Sequence, residues 1–131
     1  PSSFLVMDEA ADLATGVIAA QAGTIQAAYV ASSGATLLEF ATPDESVAAV
    51  KNGEADAVLA DKSFLAPLAE ADGELSLVAQ DVMIGGGIGI GLRQSDEELK
   101  TKFDAAIISM KEDGSLNALI AKWLPDAGQF E

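Results

Sequence analysis

Gly16-Val17-Ile18-Ala19-Ala20-Gln21-Ala22-Gly23-Thr24 and Asp56-Ala57-Val58-Leu59-Ala60-Asp61 are the two stretches on which the reading of the fold turns. Each contains a short, unbroken apolar run and ends in polar residues that suit a helix start. A run of this length without alternation reads as a strand buried on both faces. The polar residues that follow place a helix directly after each strand, which is the unit of a parallel α/β sheet.

Working outward, the same alternation recurs. Residues 24–33 read as a helix stopped by Gly34, and Thr36–Phe40 as the next strand. Thr42-Pro43-Asp44-Glu45 is a strong helix start, with Thr42 as cap, Pro43 in the first turn and Glu45 completing a capping box. Asn52-Gly53 ends that helix. After Asp61, residues 62–70 read as a helix, Asp72-Gly73 as a turn and residues 75–78 as a strand. Towards the N-terminus, Phe4–Met7 is a short apolar strand and residues 8–14 are a link. Gly85-Gly86-Gly87 breaks the pattern and marks the internal boundary. Ile88–Leu92 reads as an extended, alternating strand.

Two helices close the chain. Ser95 with Glu98 suggests a capping box, and Leu99, Phe103, Ile107 and Met110 recur at helical spacing. Gly114 stops that helix and Ser115 is read as the cap of the next. The last helix carries Leu116, Leu119, Ile120 and Trp123 and ends at Pro125. Strand–helix three times, two strands and two helices imply right-handed crossovers and a mainly parallel sheet flanked by helices.

Composition narrows the function. Half of the 131 residues are hydrophobic and 21% are charged, with a mean hydropathy of +0.28, so a core forms and disorder is not expected. Twenty-one acidic residues against 7 basic ones give a net charge of −14. Such a field opposes nucleic acid and anionic membranes, and no Lys/Arg cluster is present to neutralise phosphates. There is no Cys and no His, which removes thiolate chemistry and the commonest general base and zinc ligand. No catalytic set, metal site or cofactor is therefore expected. No apolar run reaches the roughly 20 residues that span a bilayer. The chain begins at Pro1 without an initiator Met or a signal peptide, as a processed product or a fragment would.

In open α/β sheets, ligands bind beyond the carboxyl ends of the strands. One such end delivers Gly23 and Thr24 to a helix start, where free backbone N–H groups favour an anion. Another delivers Asp61, which favours a cation. Were the two strands neighbours, one cleft would hold both ends of a zwitterion such as an amino acid. Plainer readings stand beside this one. Thr24 and Asp61 would each serve as an ordinary helix cap. Residues 85–91 would form a hairpin rather than a hinge. Trp123 reads as core, and Arg93, the only Arg, as structural rather than as a carboxylate clamp.

At these residues the chain resembles family 3 of the bacterial extracellular solute-binding proteins, the periplasmic polar amino-acid binders of ABC transporters. The resemblance rests on residues 17–24, 50–61, 89–93 with 96–99, and 110–116 with Lys122-Trp123, in that order and spacing. It implies a type 2 periplasmic-binding-protein-like lobe plus two C-terminal helices, with the first lobe largely missing. It assigns the ligand carboxylate to Gly23, Thr24 and the backbone of Ile25, the α-ammonium to Asp61, and a lining role to Gln26. It further implies an outgoing inter-lobe crossing at 1–13, the second lobe at 14–84, a return hinge strand at 85–93, and helices at 94–131 that pack on the first lobe. The Arg that clamps the carboxylate in the family belongs to the absent half, and Arg93 does not correspond to it. The implied partners are an amino acid and the membrane permease of an ABC importer. Lacking the first lobe, the last two helices would pack back on the lobe, on a swapped or homodimeric second copy, or on a separate chain. Two other classes share the scaffold: cyclohexadienyl-dehydratase-like enzymes and ligand-sensing domains of receptors.

Overall fold

The computed structural model describes residues 1–125 and 128–130. The chain divides into two compact units, residues 1–85 and residues 86–131.

The first unit is an α/β sandwich of three layers built on one sheet. The strands are β1 (Ser2–Val6), β2 (Val17–Gln21), β3 (Thr36–Phe40), β4 (Ala57–Asp61) and β5 (Ser76–Leu77). Their order across the sheet is β3-β2-β4-β1-β5. β2 pairs in parallel with both β3 and β4, whereas β1 runs antiparallel to β4 and β5. Four strands thus share one direction and β1 opposes them, so the sheet is mainly parallel. The first segment, Ser2–Val6, is fully buried between β4 and β5 and is an integral strand of this sheet.

Alternation along the strands splits the core in two. Leu5, Ala19 and Val58 face one side, where helices α2 (Pro43–Lys51) and α3 (Lys62–Ala71) add Val47, Val50 and Leu65. Phe4, Val6, Ile18, Ala57 and Leu59 face the other, under Val30 of helix α1 (Ile25–Ser32) and the loops carrying Leu13, Val78 and Val82. The strands between these layers must be apolar throughout, which is why β2 and β4 show no polar alternation in sequence.

Local signals place most boundaries within a residue or two. Thr42 and Glu45 form the expected capping box, with Pro43 at the first helical position. α1 ends at Ser33 rather than through a left-handed glycine. The Ser33 hydroxyl donates to the Val30 carbonyl at 2.7 Å, and Gly34 has no positive φ.

The second unit departs from the sequence reading in four places. Residues 88–92 form no strand and join no ladder among the described residues, and an extended segment without a ladder leaves its backbone to water. Ile88 is accordingly 94% exposed. Helix α4 (Glu97–Glu112) starts later than the Ser95/Glu98 box requires. Asp96 takes the cap position after a turn in which its N–H bonds the Arg93 carbonyl, so no capping box forms. Helix α5 (Ser115–Trp123) is preceded by Gly114 in the left-handed region, which makes Ser115 the first helical residue and not the cap. The Asp113 carboxylate accepts the Ser115 N–H instead, at 2.8 Å. The Ser115 side chain, and then its N–H, hold Asp113 below the usual carboxylate range. Lastly, Trp123 is not core: it is 68% exposed, and no residue of α4 or α5 is fully buried. Two helices alone cannot enclose a large side chain between them.

Candidate functional site

Because β2 and β4 are parallel neighbours, their carboxyl ends lie side by side. The condition set by the sequence for a shared cleft is met. A cleft of ≈ 240 Å³ opens at this edge, lined by Gln21, Thr24, Gln26, Pro43, Ser46, Asp61 and Phe64 over the floor of β4. The N-termini of α1, α2 and α3 all reach it, since each helix follows one of the co-directional strands β2, β3 and β4. Helix N-termini carry partial positive charge, so this edge favours an anion.

The three N-termini differ in what they still offer. α2 is self-contained: the Glu45 carboxylate accepts from the Thr42 N–H at 3.0 Å, and Thr42 Oγ1 accepts from the Glu45 N–H. α1 is only partly satisfied. Thr24 Oγ1 accepts from the Ala27 N–H at 3.2 Å, while the N–H groups of Ile25 and Gln26 meet no acceptor among the described residues. The Thr24 hydroxyl donates to the Gln21 carbonyl at 2.7 Å, so it must turn before it can donate to a ligand.

Asp61 stands at the cap position of α3 but makes no side-chain cap bond. Its Oδ1 instead accepts from Gln26 Nε2 at 2.8 Å. No other described donor reaches the carboxylate, and Asp61 is the only charged residue lining the cleft. The plain reading of Asp61 as a helix cap is therefore not realised. Thr24 is a cap and a cleft residue at once.

Of the five residues singled out in sequence, Thr24, Gln26 and Asp61 line the cleft, and Gly23 and Ile25 do not. Gly23 supplies the positive φ (75°) that turns the chain from β2 into α1. Ile25 is 53% exposed. Sequence reasoning missed Gln21, Pro43, Ser46 and Phe64. Ser46, almost wholly buried, is the clearest omission: a small polar residue on the sheet-facing side of α2 was the available signal. Arg93 belongs to the second unit, where its Nε donates to Asp96 Oδ2 at 2.9 Å. Among the described residues no group of three or more acidic side chains clusters as a metal site would require. No described helix is long and apolar enough to cross a membrane.

No protein-family profile matches the chain. Among curated proteins, the amino-acid-binding protein AabA of Dichelobacter nodosus is 33% identical over 82 residues, 61% of this chain and 32% of that protein. The arginine-binding periplasmic protein of Mannheimia haemolytica is 27% identical over 113 residues, 82% of this chain and 48% of that protein. Among solved structures, a periplasmic His/Glu/Gln/Arg/opine family-binding protein from Silicibacter pomeroyi, in complex with lysine, shares 56% identity with a TM-score of 0.82. That match covers 99% of this chain and 60% of the other. The chain thus spans between a third and a half of these curated relatives and three fifths of that structure. In sequence and in fold, the chain is similar to periplasmic amino-acid-binding proteins, among them components of ABC transporters.

Proposed function

We propose that this chain forms one wall of an inter-lobe cleft that captures an amino acid in the periplasm and delivers it to the permease of an ABC importer. The observation that carries this reading is the Asp61 carboxylate. It is diverted from capping α3 and held by Gln26, a residue of the first turn of α1, where the N–H groups of Ile25 and Gln26 are unfilled. One end of the cleft attracts an ammonium and the other a carboxylate. Capture is non-covalent, in keeping with relatives that are named as binding proteins. The lysine in the Silicibacter pomeroyi complex makes a basic amino acid the first ligand to test.

In this reading residues 1–13, whose β1 also joins the sheet, and residues 85–93 are the crossings to a first lobe, 14–84 complete the ligand-binding body, and 94–131 pack on that first lobe. Where it is absent, a second copy of the chain takes its place against the apolar faces of α4 and α5. Gly23 shapes the turn, the Ile25 backbone N–H and the Thr24 hydroxyl receive the ligand carboxylate, and Gln26 lines the cleft.

The test is calorimetric titration of L-lysine, L-arginine and L-glutamine into the two-lobed protein. At least one should bind, and Asp61→Ala should weaken it by about 2–5 kcal/mol, because a desolvated ammonium loses its partner. Unchanged affinity in that variant would remove Asp61 from the site.

A further inference from the structure

We infer that Gln26 is a positioning residue whose work is to keep the Asp61 carboxylate off the N-terminus of α3 and in the cleft. The inference rests on the proposed role of Asp61 and adds a cause for its orientation. An Asp at a helix cap position ordinarily turns its carboxylate onto the N–H of the second or third helical residue, here Ser63 or Phe64. Asp61 does not. Its Oδ1 accepts a hydrogen bond from Gln26 Nε2 at 2.8 Å, and the same amide nitrogen donates to Ser2 Oγ at 3.0 Å.

Gln26 is itself only 8% exposed, and Ser2 3%. Ser2 is register partner to Asp61 across the β1–β4 pair. It is further pinned by a two-way backbone bridge with Val82, at 3.0 and 2.8 Å. The amide is thus anchored on one side to the sheet and spends its other N–H on the carboxylate. One carboxylate oxygen is fixed and the other is left without a described partner, on a residue that lines the cleft. A glutamine suits this because it supplies two N–H donors on one nitrogen and no charge. A lysine there would neutralise the carboxylate that the ligand needs.

The test reads the ligand-free chain first, so that it does not depend on knowing the ligand. In Gln26→Met the carboxylate should swing onto α3, and amide hydrogen exchange at Ser63 and Phe64 should slow. In Gln26→Met/Asp61→Ala that protection should vanish. Exchange at both amides unchanged in Gln26→Met would overturn the inference. Should Gln26→Met fail to fold, Gln26→Glu keeps the shape and sets two carboxylates together. Protection at Ser63 and Phe64 should then appear near neutral pH, where the two carboxylates repel, and be lost on acidification, once one of the pair takes up a proton and donates it in a hydrogen bond to the other. Protection that does not change with pH in that variant would overturn it equally.

In the two-lobed protein, Gln26→Met should weaken L-lysine roughly tenfold, the worth of one hydrogen bond to a charged group. It should add nothing once Asp61 is Ala. An effect of Gln26→Met that persists undiminished on the Asp61→Ala background would show that Gln26 acts on its own. Loss of binding in Asp61→Ala with none in Gln26→Met would sink this inference and leave the proposed function standing.

Discussion

Gly16 sits where a larger residue would collide. A Cβ there would press into the Asp12 carbonyl oxygen and lie 2.8 Å from Oδ2 of Asp56. Both neighbours are committed: Asp12 accepts the Gly16 N–H, and Asp56 accepts the Val17 N–H at 2.8 Å. Gly16→Ala should therefore cost about 1–3 kcal/mol in chemical denaturation, as overpacked sites do. Ser3 predicts the opposite. It is fully buried on β1, and its hydroxyl has no partner among the described residues. Ser3→Ala should leave stability unchanged or raise it by up to about 1 kcal/mol, because an unpaired buried hydroxyl is a liability. At this scale Thr24 and Asp61 were legible in the sequence, since a strand end followed by a helix start is a local pattern. The Gln26–Asp61 bond was not. It joins residues 35 apart and exists only because β2 and β4 are neighbours. Ser46 and Phe64 were hidden for the same reason.

Among the elements, α2 was readable from end to end. Its capping box, its proline and the positive φ of Gly53 are all local devices. Thr42→Ala should lower stability by about 1 kcal/mol, measured as a shift in the urea midpoint at constant slope. The C-terminal end of α2 is tied to the turn after α3 by Lys51 Nζ and Asp72 Oδ2 at 2.6 Å. The Lys51 hydrogen bond, with the Glu74 N–H, holds Asp72 below the usual carboxylate range, and Asp72 in turn raises Lys51. A depressed carboxylate stabilises above its unfolded pKa and loses that contribution as pH falls through the folded value. A raised lysine stabilises below its unfolded pKa and loses its share as pH rises through the folded one. Carboxyl and ammonium NMR titrations should thus find the tie intact at neutral pH and released at both extremes. Residues 88–92 show where the sequence runs out. Alternation there is a strand pattern, but a strand is defined by its neighbour, and the segment joins no ladder among the described residues.

At the scale of the whole molecule, the acidic charge and the exposed apolar helix faces pull in different directions. A net charge of −14 keeps copies apart. Leu99, Phe103, Leu119 and Trp123 stand 39–68% exposed, and surface of that kind favours a covering partner. Trp123 is the sole tryptophan, so its emission reports this directly. Acrylamide quenching in the isolated chain should decrease as protein concentration or salt rises. Quenching that stays constant would reserve those faces for the other lobe alone. Fold class was legible from the order of elements, whereas the environment of the last two helices was not, because amphipathic spacing names a face without naming what lies against it.

The bridge between Ser2 and Val82 carries one more consequence. It leaves the two strands of backbone that connect residues 2–82 to anything else within hydrogen-bonding reach of each other. A segment whose ends meet in this way can be spliced into a surface loop of an unrelated host with little distortion of either. The sheet with its amide-braced cleft is thus a transplantable cassette, suited to grafting onto a host that supplies the facing wall.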